Sequence, residues 1–245
     1  MNILKKKVRF QMDHFSHFGP EHVGMLLFIT FAVIMGLLLV RKGSEKHVRR
    51  TALVLALLTL AGEIIQDLLL VREGGDIMSF LPLHLCNIGI FVNLLASLTR
   101  GKVQSYFAEV SLVLIAPGSV GALLFPDWTY RPFWSAVALL CFFTHTLLVF
   151  VPLMYLVRKR VSVTFKHFWY SYLFLALAVP PIWLLNSKAD LNYMYLMYPP
   201  KSSPLEWIYK LTGDTYYIAG LVMFITVLLL LEYLVYSLIN KASKK

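Results

Sequence analysis

The stretch LPLHLCNIG, Leu81–Gly89, sets a histidine, a thiol and a carboxamide close together, at His84, Cys86 and Asn87, in an otherwise apolar segment. A cysteine becomes a nucleophile when a neighbouring base takes its proton, and imidazole or amide N–H groups can hold the oxyanion that its attack creates. Two other apolar stretches carry groups of the same kind. Glu63, Gln66 and Asp67 stand at i, i+3 and i+4, on one face of a helix, and CFFTH places Cys141 and His145 at i and i+4. Ionisable side chains in hydrocarbon are costly unless they meet partners or water, so each of these residues is a candidate for function.

The elements that position them follow from composition. Of the 245 residues 58% are hydrophobic and only 15% charged, against roughly 25% charged in soluble domains; the mean hydropathy is +0.69. Apolar runs long enough to cross a hydrocarbon core of roughly 30 Å recur along the chain. They read as seven spans, 23–40, 51–71, 79–98, 105–125, 133–157, 168–186 and 216–239. Backbone amides must be paired within the lipid, so the expected fold is all-α, a single bundle of seven transmembrane helices forming one domain over 1–245. The first run ends in RKGSEKHVRR without a small-residue cleavage site, which predicts a retained span rather than a signal peptide.

The formal charge of +10 does not point to nucleic acid, because the Lys and Arg lie mainly in short connections and at the termini. Arg41, Lys42, Lys46, Arg49, Arg50, Arg100, Lys102, Arg158, Lys159, Arg160, Lys166, Lys241, Lys244 and Lys245 fall on one side. That bias predicts a cell-membrane protein with its N-terminus outside and its C-terminus in the cytoplasm. The basic N-terminal tail, with Lys5, Lys6, Lys7 and Arg9, argues against this orientation. The two cysteines form no disulfide framework.

Counting from the charged and aromatic boundaries puts Glu63, Cys86 and His145 at one depth, roughly 10 to 12 Å below the outer edge of the hydrocarbon. Three spans thus bring polar groups together in a pocket that opens outward. In it Cys86 is the expected nucleophile and His145 its base, with His84, Asn87, Glu63 and Asp67 in support. On an ideal helix His84 lies about 200° around from Cys86, so both face one pocket only if the helix starts irregularly, and Pro82 is placed to start it there. Cys141, four residues before His145, is the rival thiol. Glu109 and Glu232 fall near the cytosolic ends and read as structural or snorkelling charges. The segment 187–214, rich in Tyr, Trp and Pro, reads as an external aromatic loop whose Asn192, Tyr193 and Tyr195 could cover the pocket. Zinc is a weaker reading, since no HxxxH, CxxC or HExxH spacing is present; neither a metal nor a cofactor is expected.

LPLHLCNI, GSVGALLFPDW, FFTH and NYMYL, together with FGPEH near Phe18, resemble the pattern of the YwaF-type bacterial integral membrane proteins. That family is similar to the vertebrate transmembrane protein 164 acyltransferases. The resemblance covers nearly the whole chain. It implies a seven-helix membrane fold and transfer of a fatty acyl chain between phospholipids through a cysteine thioester, with phospholipid and lysophospholipid as substrates. Carried onto this chain, its cysteine is Cys86 and its histidine is His145. Two alternatives use the same residues. In one, water completes the reaction, giving an intramembrane lipid hydrolase; in the other, a non-enzymatic transporter or sensor binds a cation or proton among Glu63, Asp67, His84 and His145.

Overall fold

The computed structural model describes residues 15–161 and 163–242. The basic N-terminal tail, with Lys5, Lys6, Lys7 and Arg9, lies outside them, as do Lys244 and Lys245. Seven principal helices follow in order: α1 Pro20–Arg41, α2 Glu45–Arg72, α3 Leu85–Leu98, α4 Gly101–Leu124, α5 Ala136–Val157, α6 Trp169–Ala189 and α7 Pro204–Ala242. No strand occurs among the described residues. Six of the helices are long and apolar enough to cross a membrane; α3 is apolar but has only 14 residues, roughly 21 Å. The protein is thus a multi-pass helical membrane protein.

The ends of the helices follow from local chemistry. Pro20 opens the first turn of α1, where its missing N–H costs nothing. Ser44 caps α2 by accepting from His47 N at 3.3 Å, and Ser135 caps α5 by accepting from Ala138 N at 3.3 Å. Within the most apolar stretches, 61% of α4 and of α5 is buried against 6% of α1, so α4 and α5 form the centre and α1 faces lipid. Leu27, Phe28, Phe31 and Leu39 of α1 are correspondingly exposed.

Around that centre α2 packs along α5 and α3, while α6 and α7 lean on α4 from the other side. The chain entry FGPEH forms a clasp there. Buried His22 bonds Leu123 O through Nε2 at 2.8 Å and accepts Phe18 N on Nδ1 at 3.0 Å, tying α1 to the end of α4.

Three elements depart from the expected spans for physical reasons. The third is helical only from Leu85; residues 76–84 run as turns, a short 3-10 turn and extended backbone. The buried Tyr193 holds this segment, its hydroxyl donating to Met78 O and accepting Leu81 N at 3.0 Å. The fourth is interrupted by a π-helical stretch, Ser111–Ile115, where Ser111 Oγ donates to Asn93 Oδ1 of α3 at 2.5 Å. Gly89 of α3 faces this stretch so closely that a Cβ would collide with Ile115. The seventh begins at Pro204, twelve residues early, and breaks at Gly213, where φ is +66°, a conformation glycine takes without strain. The segment 187–214 is therefore largely ordered: the end of α6, a 3-10 turn Tyr193–Tyr195 and the start of α7.

Candidate functional site

A cavity of about 790 Å³ opens between the helices. Glu63, Gln66 and Asp67 of α2, His84, Cys86 and Asn87 at the start of α3, and Cys141 and His145 of α5 all line it. The groups aligned by depth in the sequence therefore meet in one space. Pro82 precedes the helix, and His84 is the residue immediately before it, with an extended backbone at φ −67°, ψ 153°. This irregular start resolves the 200° conflict: His84 and Cys86 reach the same cavity because only Cys86 is helical.

Several of these polar groups have definite partners. Asn87 Nδ2 donates to Glu63 Oε1, so the amide binds a carboxylate of α2. His145 Nδ1 lies 2.7 Å from Cys141 O. A carbonyl only accepts, so Nδ1 carries the proton and Nε2 of the neutral ring keeps its lone pair, the form a general base needs. The His145 ring sits 5.2 Å from Trp128, tilted by 31°, and near enough to Glu63 for their charges to interact.

The two thiols differ in environment. Cys141 is buried and donates Sγ–H to Gln66 Oε1 at 3.1 Å. Cys86 is partly exposed through the cavity and occupies the first turn of α3. Cys86 and His145 line the same cavity, and among the described residues no direct hydrogen bond joins them. Behind the thiol stands Ser119 of α4, its fully buried hydroxyl directed at Cys86 and without another partner among the described residues.

The outer wall comes from residues that sequence reasoning weighted lightly or missed. Met194 N donates to His84 Nδ1 at 3.3 Å, leaving Nε2 of His84 as its N–H donor. The His84 ring lies 5.2 Å from both Tyr193 and Tyr195. Tyr195 donates to the Asp127 carboxylate; burial first, then Asp127 itself, hold its phenol above the ordinary range, so it stays protonated. Asp127, Trp128, Met194 and Tyr195 line the cavity, whereas Asn192 and Tyr193 do not. Asn192 organises its own loop, accepting Met197 N at 2.9 Å and donating to Tyr198 O at 2.8 Å. Tyr193 acts as the structural tie described above.

At the other end of the bundle Glu109 is paired: His167 Nδ1 stands 2.7 Å from Oε2 and Tyr233 donates to Oε1 at 2.9 Å. Glu232 is not. Its Oε2 is buried without a partner, and the residue lines the cavity. Among the described residues no three His, Cys, Asp or Glu side chains are grouped as a metal ion requires.

A bundle of apolar helices that encloses a cavity with a thiol, an imidazole and carboxylates at one end defines a multi-pass membrane protein with an internal polar site. The chain belongs to the TMEM164 family, whose model matches residues 17–233. No individual curated protein and no solved structure matches it.

Proposed function

We propose that the protein is a phospholipid acyltransferase of the cell membrane that carries the acyl group on Cys86. The observation that carries this reading is the form of the cavity. It joins Cys86, His145 and their carboxylates to a long apolar arm between α4, α6 and α7. A polar reacting centre continuous with a greasy arm suits an ester of a fatty acid.

In the proposed reaction Cys86 Sγ attacks the carbonyl carbon of a phospholipid ester. His145 Nε2 takes the thiol proton as the S–C bond forms, and Glu63 stabilises the resulting imidazolium. Collapse of the tetrahedral intermediate breaks the ester C–O bond, and His145 returns the proton to the departing lysolipid oxygen. The hydroxyl of a second lysophospholipid then attacks the thioester, giving its proton to His145, and the thiolate leaves and recovers that proton.

The oxyanion donors follow from the hydrogen bonds present. Asn87 gives one N–H to Glu63, which leaves its second Nδ2–H, His84 Nε2–H and the Ser119 hydroxyl. A positioned donor of this kind is worth roughly 3 kcal/mol of barrier where one has been removed. Asp67, Met194 and Tyr195 wall the cavity mouth.

Water in place of the second lysolipid would make the same centre a hydrolase. Lipid analysis of cells with the protein, without it and with Cys86→Ser tests the proposal. The expected outcome is an acyl-chain redistribution among phospholipids that requires the thiol. A rise in free fatty acid alone favours the hydrolase, and a lipid composition indifferent to Cys86 overturns both.

A further inference from the structure

The cavity does not end at the polar cluster. On α7 its lining recurs at Ile218, Leu221, Ile225, Leu228 and Glu232, one continuous stripe at helical spacing. From 218 to 232 that stripe runs roughly 21 Å along the helix, about two thirds of a 30 Å hydrocarbon core. Leu175 and Val179 of α6 and Leu114 of α4 face the same space. Ile225 packs in the apolar cluster that also holds Cys86, so the arm is continuous with the thiol. Every group named along this stripe is aliphatic until Glu232.

Below that point the bundle is solid. Tyr233 is fully packed and bonded to Glu109, and Met154 and Tyr155 are buried in the same cluster. The carboxyl of Glu232 therefore sits at the blind end of an apolar slot, with Oε2 buried and unpaired. A chain terminus driven against it would cover a polar group and supply no hydrogen bond in return.

We infer that this arm is the seat of a single fatty acyl chain and that Glu232 is its floor, setting the longest chain the site accepts. The inference rests on the acyltransferase reading for its reaction, but the arm binds the chain whether or not transfer follows. Leu228, one turn above Glu232, sets the depth with it.

Two measurements separate the inference from the reaction. The first uses a phosphatidylcholine with a photoreactive diazirine at the end of one acyl chain, irradiated with the purified full-length Cys86→Ala variant, which binds without turnover. The expected adducts lie on α7 between 218 and 232. Adducts confined to lipid-facing residues such as Phe28 and Phe31 would overturn the arm even if the protein transfers acyl groups.

The second reads, by mass, the chain lengths bound as acyl groups on Cys86 from a mixed-chain phospholipid pool. Leu228→Trp, which fills the slot, is expected to shift the distribution to shorter chains. Glu232→Leu is expected to admit longer ones, while the isosteric Glu232→Gln keeps the wild-type profile. An unchanged distribution in both Leu228→Trp and Glu232→Leu, with acylation intact, contradicts the role of Glu232. Absence of any acyl adduct, with photolabelling on α7, refutes the thioester while leaving the arm standing.

Discussion

Asn87 of α3 donates its side-chain amide to the Glu63 carboxylate of α2, joining the two helices at the wall of the cavity. The bond fixes a carboxylate in the lining of the cavity that also holds His145 and uses one of the two N–H groups of the amide. Asn87→Ala leaves Glu63 without that donor in a low-dielectric setting. The expected cost is about 1 to 3 kcal/mol of stability, measured as a lower unfolding midpoint in detergent, while Cys86 remains open to alkylation. An unchanged midpoint would mean that the pair contributes nothing to holding α2 on α3.

Ser119 has a different character, a hydroxyl placed behind the thiol with Cys86 as its one partner among the described residues. Ser119→Ala is expected to slow acylation of Cys86 about 10-fold, the rate equivalent of one hydrogen bond, with the folded fraction unchanged. Ser119→Thr keeps the hydroxyl and should retain more of the rate than Ala does. Equal rates for wild type and Ser119→Ala would assign the serine to packing alone.

Tyr193 secures the non-helical segment before α3 through Met78 O and Leu81 N, and its own backbone is gripped by Asn186 Oδ1 at 2.9 Å. Tyr193→Phe breaks two partly buried hydrogen bonds that tie this segment. It is expected to cost about 1 to 3 kcal/mol and to reduce turnover, because the start of α3 sets where Cys86 stands. A variant with wild-type stability and rate would show that the segment holds itself.

Much of this was legible in the sequence. Seven apolar runs gave seven helices to within a few residues at most ends, and the common depth of Glu63, Cys86 and His145 placed them in one cavity, because rise per residue and span length convert position into height. The start of α3 was legible only in part. Pro82 marked an irregular start, but Phe80, Leu81 and Leu83 read as apolar helix, and the tie from Tyr193 that holds this segment comes from more than a hundred residues away. Ser119 and Trp128 were missed because serine is common in membrane helices and tryptophan reads as an interfacial anchor. Asp127 was the better signal: a carboxylate straight after the apolar run ending in Phe125–Pro126. Glu232 looked like a snorkelling charge, since only the packing of α4 and α6 shows that it faces inward.

The Lys and Arg bias predicts that the ends of α1 and α2 joined by Arg41, Lys42 and Lys46 face the cytoplasm. A reporter active only in the cytoplasm should therefore signal from the C-terminus and stay silent at the N-terminus. The reverse pattern would place the Cys86 cavity mouth on the cytoplasmic side and change which leaflet it draws from.

The central claim is that Cys86 carries the acyl group and His145 serves as its base. Purified protein incubated with phospholipid is expected to gain the mass of one acyl chain on Cys86, removable by neutral hydroxylamine. The gain should be absent in Cys86→Ala, slowed roughly 10² to 10⁴-fold in His145→Ala, and nearly unaffected in Cys141→Ala, whose thiol is held by Gln66. An adduct on Cys141, or lipid turnover that persists in Cys86→Ala, would contradict the account.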